Sequence, residues 1–278
     1  MMVAGKKVAE EEGGFKMEIR VLEKTEDKVS FILKNSTPAF ANMIRRNIIE
    51  NTPTMAIEDV EFRKNSSILY DEIIAHRLGL IPLKTDLELY YLPEKCKCGG
   101  KGCNRCTLKM TLKAKGPATV YASDIKSNDP KIKPVYPKTP IVKLLKGQDI
   151  ELEATAMLGK GKDHIKWSPA LVYYKYKPVV EIIKEPANQE EIVKSCPLHV
   201  YEIKNNKLIV NKDSLLKCHL CGACVDASNN TIKVIGKEDE FVFYVESWGQ
   251  LSCEDIIKTS LDIFQEQLSD FVKAIEKA

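Results

Sequence analysis

Eight of the nine cysteines fall into two groups spaced like metal ligands, and loops that close on a metal constrain this chain more than any other feature. The first group, within the run CKCGGKGCNRC, comprises Cys96, Cys98, Cys103 and Cys106. The second combines the run CHLCGAC with an upstream Cys-Pro pair and comprises Cys196, Cys218, Cys221 and Cys224. A chain with both groups is either an electron carrier or a scaffold in which metals fasten two segments.

Composition limits the compartment and the class of partner. The 278 residues include 42 basic and 39 acidic side chains, and a net charge of +3 does not suggest a free-standing nucleic-acid binder. No apolar run approaches the roughly 20 residues that span a bilayer, and the N-terminal run MMVAGKKVAEEEGGFK lacks the apolar stretch of a signal peptide. We therefore expect a cytoplasmic protein, in which clustered thiols favour metal binding over disulfides. Residues 1–16 are expected to be a disordered extension.

The folded part is predicted to begin with two strands and a helix. Residues 17–21 and 29–33 alternate apolar and polar side chains, a pattern typical of half-buried strands. Thr37 as the N-cap and Pro38 as the first helical residue predict a helix that ends near Pro53.

Two adjacent arginines, Arg45 and Arg46, lie in the middle of this helix. They could form a solvated basic edge or a docking contact with a partner. Periodicity alone favours the solvated edge, because charged side chains mostly face water.

The rest of the chain leads to a long amphipathic helix. Residues 129–140 contain too many prolines for a regular helix and are expected to run extended, whereas 172–176 and 241–245 alternate like strands, the first ending at Pro178. From about Ser252 we predict a helix with one broad apolar stripe: Ile256, Ile257, Leu261, Phe264, Leu268, Phe271, Val272 and Ile275. Such a stripe is either buried against the chain's own sheet or bound by a partner.

The first cysteine group predicts a closed metal loop. Glycines between the two cysteine pairs let the backbone curl so that four sulfurs converge on one tetrahedral centre. Basic side chains are placed to offset the negative charge of a tetrathiolate site: Lys95, Lys97, Lys101, Arg105 and Lys109. Zinc is favoured, and the alternatives are a reduced thiol cluster without metal or an iron site.

The second group follows the C-x2-C-x2-C spacing of bacterial ferredoxins, whose run normally continues x3-C-P. Ser228 occupies the position of that next cysteine, while Cys196-Pro197 supplies a Cys-Pro upstream. We therefore expect one iron–sulfur cluster, [4Fe–4S] or, with a labile ligand, [3Fe–4S]. The alternative is a zinc site with His219 as a substitute ligand.

Catalytic residues are not predicted. The sequence contains no Ser–His–Asp grouping, phosphate-binding glycine loop or paired-carboxylate signal. The remaining cysteine, Cys253, is expected to be a packed thiol in the first turn of the last helix.

Four separated runs, in order, resemble one family: FANMIRRNIIENTP (40–53), LYDEIIAHRLGLIPLK (69–84), HIKWSPALVYYKY (164–176) and FVFYVESWGQL (241–251). They are similar to the D-type subunit of archaeal DNA-directed RNA polymerase, a relative of bacterial alpha and of the third-largest subunit of eukaryotic RNA polymerase II. The resemblance implies an α+β fold: a discontinuous alpha-subunit-like dimerisation domain with an inserted mainly-β domain and an inserted ferredoxin-like iron–sulfur domain. The corresponding ranges are 17–56, 168–183 and 232–278 for dimerisation, 57–167 for the zinc-type insertion and 184–231 for the ferredoxin-like domain.

The resemblance also implies a non-catalytic assembly role within a nucleotidyltransferase complex. It implies a heterodimer with the small L subunit, docking of the large catalytic subunits, association with the N and P subunits, no membrane contact and little direct nucleic-acid contact. The residues expected to bind partners are Arg45, Arg46, Ile256, Ile257, Leu261, Phe264 and Leu268. A structural or regulatory iron–sulfur site is implied, and the alternative function is that of a ferredoxin-like electron-transfer protein.

Overall fold

The structure is a computed structural model that describes residues 17–277. Residues 1–16, expected to be a disordered extension, lie outside the described residues. The helices are α1 (Pro38–Asn51), α2 (Asp71–Gly79), α3 (Gln189–Ser195), α4 (Lys212–Leu215), α5 (Ala223–Ala227) and α6 (Cys253–Glu276). The first six strands are β1 (Glu18–Lys24), β2 (Lys28–Lys34), β3 (Pro53–Asn65), β4 (Thr107–Lys115), β5 (Ala118–Tyr121) and β6 (Lys126–Ser127). The other six are β7 (Pro140–Leu144), β8 (Asp149–Lys160), β9 (Ala170–Ile182), β10 (Tyr201–Lys204), β11 (Lys207–Val210) and β12 (Ile232–Ser247).

The chain divides into two compact units. The first contains the described residues through Arg20, together with Phe31–Pro38 and Lys175–Val242. The second contains Val21–Ser30, Ala39–Tyr174 and the residues from Phe243 onward. Both mix helices and strands, so the α+β content expected from the sequence is present. None of the helices described between residues 17 and 277 is long and apolar enough to cross a membrane.

The second unit is built on an antiparallel sheet of order β3-β8-β4-β6. Strand β8 alternates buried and half-buried side chains along its length, as a strand with one covered face should. Helix α2 contributes Ile74 and Leu78, both fully buried, to the apolar core on this sheet, whose strands supply Met55, Met110 and Leu152. Strand β4 begins directly after Cys106 and contributes to this core, so the core holds the end of the first cysteine loop in place.

The first unit contains a small core beside the β10–β11 hairpin. Tyr201 pairs with Val210 in the hairpin register, and Asn211 N–H donates to Val200 C=O at 2.8 Å. Ile192 of α3, Leu208 of β11 and Ile232 of β12 are 0–3 % exposed and pack in one cluster. Cys218 and Cys224 belong to the same cluster, so the second cysteine group is built into the core of this unit.

The positions of the first two strands and of α1 are confirmed. The strands are not half-buried as expected, because β1 is exposed along its whole length and β2 is buried at five consecutive residues, 29–33. Helix α1 begins at Pro38 and ends at Asn51, two residues before Pro53. Residues 129–140 contain no helix, in agreement with their proline content. The expected extended course is wrong, because most of these residues form turns and bends, with one isolated bridge from Pro134 to Leu83. The predicted end of the strand at Pro178 was wrong, because β9 continues to Ile182. Strand β9 is last in the sheet order β1-β2-β12-β9, and an edge strand tolerates a residue without an N–H donor.

Helix α6 starts as predicted, with Ser252 as its N-cap. The Ser252 hydroxyl accepts a hydrogen bond from Asp255 N–H at 3.1 Å and so satisfies a donor of the first turn. Cys253 and Ile256 are fully buried, and the Cys253 thiol is a packed group, as expected. Beyond Ser260 the helix is exposed or half-buried to its end, which places most of its apolar stripe at the surface.

Candidate metal centres

The first cysteine group lies in a tight loop between a short 3-10 turn, Pro93–Lys95, and the start of β4. Gly99, Gly100 and Gly102 have φ angles of 65°, 78° and 85°, a left-handed region that favours glycine because it lacks a Cβ. Tyr91 N–H donates to Arg105 C=O at 2.8 Å and closes the loop at its base. The glycines therefore do what the sequence predicted: they fold the two cysteine pairs back on each other.

The four sulfurs of this loop form one compact group. The Sγ atoms of Cys96 and Cys98, Cys96 and Cys103, and Cys98 and Cys106 are each 3.5 Å apart, and those of Cys103 and Cys106 are 3.8 Å apart. All four lie within 4.8 Å of one another. A tetrahedron with metal–sulfur bonds of about 2.3 Å has edges of roughly 3.8 Å. The geometry therefore fits one ion bound by four thiolates.

The thiols of this group differ in acidity. Burial raises the pKa of Cys106 to about 12, whereas the hydrogen bonds that Cys98 shares with Cys96 and Cys106 lower the pKa of Cys98 to about 6. A metal requires all four as thiolates, so metal binding at this loop releases protons.

One exposed ion pair connects the loop to the last helix. Lys95 Nζ lies 2.8 Å from Glu266 Oε2 of α6, with both side chains 54 % exposed. Exposed pairs of this kind contribute at most about 1 kcal/mol, so it orients the two elements without fixing them.

The thiols of the second cysteine group are spread around one cavity. Its members come from four places: the C-cap of α3 (Cys196), the turn after α4 (Cys218), the following loop (Cys221) and the first turn of α5 (Cys224). All four line one cavity, and the other lining residues are mainly apolar. Among residues 17–277, only the first group brings all its possible ligand atoms within 4.8 Å. Thiols spread around a cavity suit a multi-iron group, which is larger than a single ion.

Tyr201 contacts this second group through its hydroxyl. The Tyr201 O–H donates to Cys224 Sγ at 3.1 Å, and the side chain is 3 % exposed. Burial raises the pKa of Tyr201, and it also raises the pKa of the Cys218 thiol. The sequence reasoning missed Tyr201, because nothing in the cysteine spacing marks a residue five positions beyond Cys196. The nearest signal was an aromatic residue with a polar tip a few positions after the Cys-Pro pair.

Ser228, the position of the missing ferredoxin cysteine, has a structural role. It is the C-cap of α5, 2 % exposed, and its hydroxyl donates to Val225 C=O at 2.9 Å and accepts from Ile232 N–H at 3.2 Å. His219, the alternative ligand, is exposed at the rim of the cavity.

The residues expected to bind partners have different surroundings. On α1, Arg45 is half-buried and donates to Asn42 Oδ1 at 2.9 Å, while Arg46 is exposed and pairs with Glu50 at 2.9 Å. On α6, Ile256 is fully buried in the chain's own core and is not accessible at the surface. The accessible part of the stripe is half-buried at Ile257 and Phe264 and 45–63 % exposed at Leu261, Leu268, Phe271, Val272 and Ile275.

Comparison with known proteins identifies the family. Residues 60–170 match the family model described as the RNA polymerase Rpb3/RpoA insert domain. DNA-directed RNA polymerase subunit Rpo3 of Methanosphaera stadtmanae is 38 % identical over 269 residues, which covers 94 % of this chain and 99 % of that protein. The protein of the same name from Methanosarcina mazei is 39 % identical over 264 residues, which cover 94 % of this chain and 99 % of that protein. The Pyrococcus horikoshii protein is 38 % identical over 261 residues, which cover 94 % of this chain and 98 % of that protein.

These relatives correct the designation expected from the sequence. The expected D-type designation is not the name they carry, since each of them is named subunit Rpo3. The likeness to the alpha-type subunits is supported by the insert-domain match. The chain therefore belongs to the family of DNA-directed RNA polymerase subunit Rpo3.

Proposed function

We propose that this chain is a non-catalytic assembly subunit of a cytoplasmic RNA polymerase, which pairs with the small L subunit and then docks the large catalytic subunits, with the N and P subunits joining the platform. Membership of the Rpo3 family supports the polymerase part of this proposal. The observation that carries the pairing is the exposed apolar stripe of α6. The family also disfavours the alternative of a ferredoxin-like electron carrier.

The stripe on α6 has the spacing of a helix–helix seam. Its members recur at alternating intervals of three and four residues: Leu261, Phe264, Leu268, Phe271 and Ile275. This is the a/d spacing through which helices pack side by side, and 24 residues are enough for three heptads. Monomeric proteins seldom leave so continuous an apolar surface in water, so a partner helix is the natural occupant.

Helix α1 supplies the surface proposed for the large subunits. Its arginines have local partners, Asn42 for Arg45 and Glu50 for Arg46, which orient the guanidinium groups on the helix surface. Arginine presents a planar fork of donors that suits carboxylates and carbonyl groups at an interface. We therefore assign Arg45 and Arg46 to docking, and Ile256 to the core beneath the pairing helix.

The two cysteine groups are proposed to hold different metals. A zinc ion suits the first, because four thiolates at tetrahedral spacing leave no open coordination position for chemistry. One iron–sulfur cluster, [4Fe–4S] or [3Fe–4S], suits the second, whose four thiols are spread around one cavity in a ferredoxin-like segment. Both metals would act mainly by stabilising the segments that bind them, since the free energy of metal binding is also folding free energy.

Co-expression with the L subunit tests the pairing. The chain and the L subunit, purified together and examined by sedimentation velocity, should run as one heterodimer with equimolar composition. Substitution of both Leu268 and Phe271 by Asp should return the chain to the monomer, while Asp270→Asn on the opposite face of α6 should leave the heterodimer intact. A wild-type chain that sediments alone beside the free L subunit would refute the proposal.

A further inference from the structure

We infer that Tyr201 tunes the reduction potential of the cluster held by the second cysteine group, by donating a hydrogen bond to its ligand Cys224. This inference rests on the proposed iron–sulfur cluster and goes beyond it, since it assigns a role to a residue outside the ligand set. The supporting distance is 3.1 Å between the Tyr201 hydroxyl oxygen and Cys224 Sγ.

The backbone fixes the position of the tyrosine. After Cys196-Pro197 the chain turns through His199, which has a φ of 51°, and enters β10 at Tyr201. There the β10–β11 hairpin pairs Tyr201 with Val210. Cys224 is fixed independently by helix α5, so the contact joins two ordered elements.

Burial makes the bond effective. Tyr201 is 3 % exposed and Cys224 is 7 % exposed, so water does not compete well for either partner. A hydrogen bond to a charged group is stronger than one between neutral groups, and the low dielectric of a core strengthens it further. The cavity wall around the sulfurs is otherwise mainly apolar, and the polar side chains that line it besides the cysteines are those of Tyr201, Ser195 and His219.

The sign of the effect follows from charge. Reduction by one electron increases the negative charge on the cluster and on its thiolate ligands, and an O–H donor stabilises the more negative state. Hydrogen bonds to cluster sulfurs are among the factors that set these potentials. Tyr201 is therefore a positioning residue that raises the potential, and its removal should lower it.

The test is a redox titration of the full-length chain, purified anaerobically, with dithionite as reductant and electron paramagnetic resonance as the readout. At the ambient potential that half-reduces the wild-type cluster, Tyr201→Phe should raise the ratio of oxidised to reduced cluster about tenfold, which is about 59 mV for a one-electron couple. Tyr176→Phe is the matched control, because Tyr176 lies in the same unit and packs its ring on Phe241. An unchanged potential in Tyr201→Phe, with wild-type iron content, overturns the inference and leaves the cluster in place.

Two further measurements separate the possible failures. Iron analysis of the wild-type chain tests the cluster itself, and a chain without iron overturns both the cluster and the role of Tyr201. If Tyr201→Phe loses iron, the contact is tested in the wild-type chain instead. Its tyrosines are labelled with deuterium on the ring, and pulsed electron paramagnetic resonance measures whether that deuterium couples to the cluster. Deuterium coupled to the cluster supports the contact, and its absence overturns it.

Discussion

Truncation of two exposed side chains on α6 should weaken pairing with the L subunit by a predictable amount. Phe271 is 63 % exposed and Leu268 is 50 % exposed, so pairing can still bury about half of each side chain. Full burial of a large apolar side chain is worth about 1.5–3 kcal/mol, and the exposed fractions together give about 2–3 kcal/mol. The double variant Leu268→Ala, Phe271→Ala should therefore raise the Kd for the L subunit by roughly 30–150-fold.

Isothermal titration of the L subunit into each variant measures this change. Alanine is a strong helix former, so the double variant should keep its helical circular dichroism and lose only side-chain contacts. Asp270→Ala is the control, because Asp270 faces away from the stripe and makes only an exposed ion pair with Lys273 at 3.3 Å. A double variant that binds the L subunit within twofold of wild type would refute the assignment of the stripe.

Three other predictions concern stability and metal content. Gly159→Ala should lower the free energy of unfolding by about 1–3 kcal/mol, because its Cβ would overlap the Trp167 ring. Gly79→Ala, whose Cβ would lie 3.5 Å from the nearest atom, should cost much less, and chemical denaturation of both variants makes the comparison. Burial raises the pKa of the Glu240 carboxyl, but hydrogen bonds from two lysines outweigh this effect and lower the pKa below 4.5. The ionised carboxylate therefore stabilises the folded state above pH 4.5, and this contribution to the free energy of unfolding is lost as the pH falls below 4.5. Glu240→Gln should accordingly cost about 2 kcal/mol near pH 7 and little in more acidic solution, and a gap independent of pH would contradict this. Cys106→Ser should remove one equivalent of zinc and leave the iron content unchanged in elemental analysis, and parallel loss of both metals would argue against separate sites.

Local chemistry made much of the fold and of one site predictable from the sequence. Pro38 can begin a helix because its missing N–H is not needed there, and Ser252 caps α6 through its own hydroxyl. The first cysteine loop was predictable because its ligands and glycines lie within eleven consecutive residues. In each case the determining residues are neighbours in the chain.

Features that depend on distant contacts could not be predicted in the same way. The continuation of β9 through Pro178 depends on its edge position in a sheet whose other strands come from remote parts of the chain. Periodicity placed Ile256 on the same stripe as Leu268, yet tertiary packing buries the first and leaves the second exposed. The approach of Tyr201 to Cys224 likewise depends on how a hairpin and a helix pack, which no spacing rule describes.

The cap at Ser228 has a consequence for how this lineage can change. Substitution of Ser228 by cysteine would restore the ferredoxin spacing. It would also replace the hydroxyl, which donates to Val225 C=O and accepts from Ile232 N–H, by a thiol that is larger and forms weaker hydrogen bonds. The site is 2 % exposed, so the extra bulk has little room. A change of Ser228 to cysteine would therefore lower the stability of the fold, and selection for stability would tend to remove it.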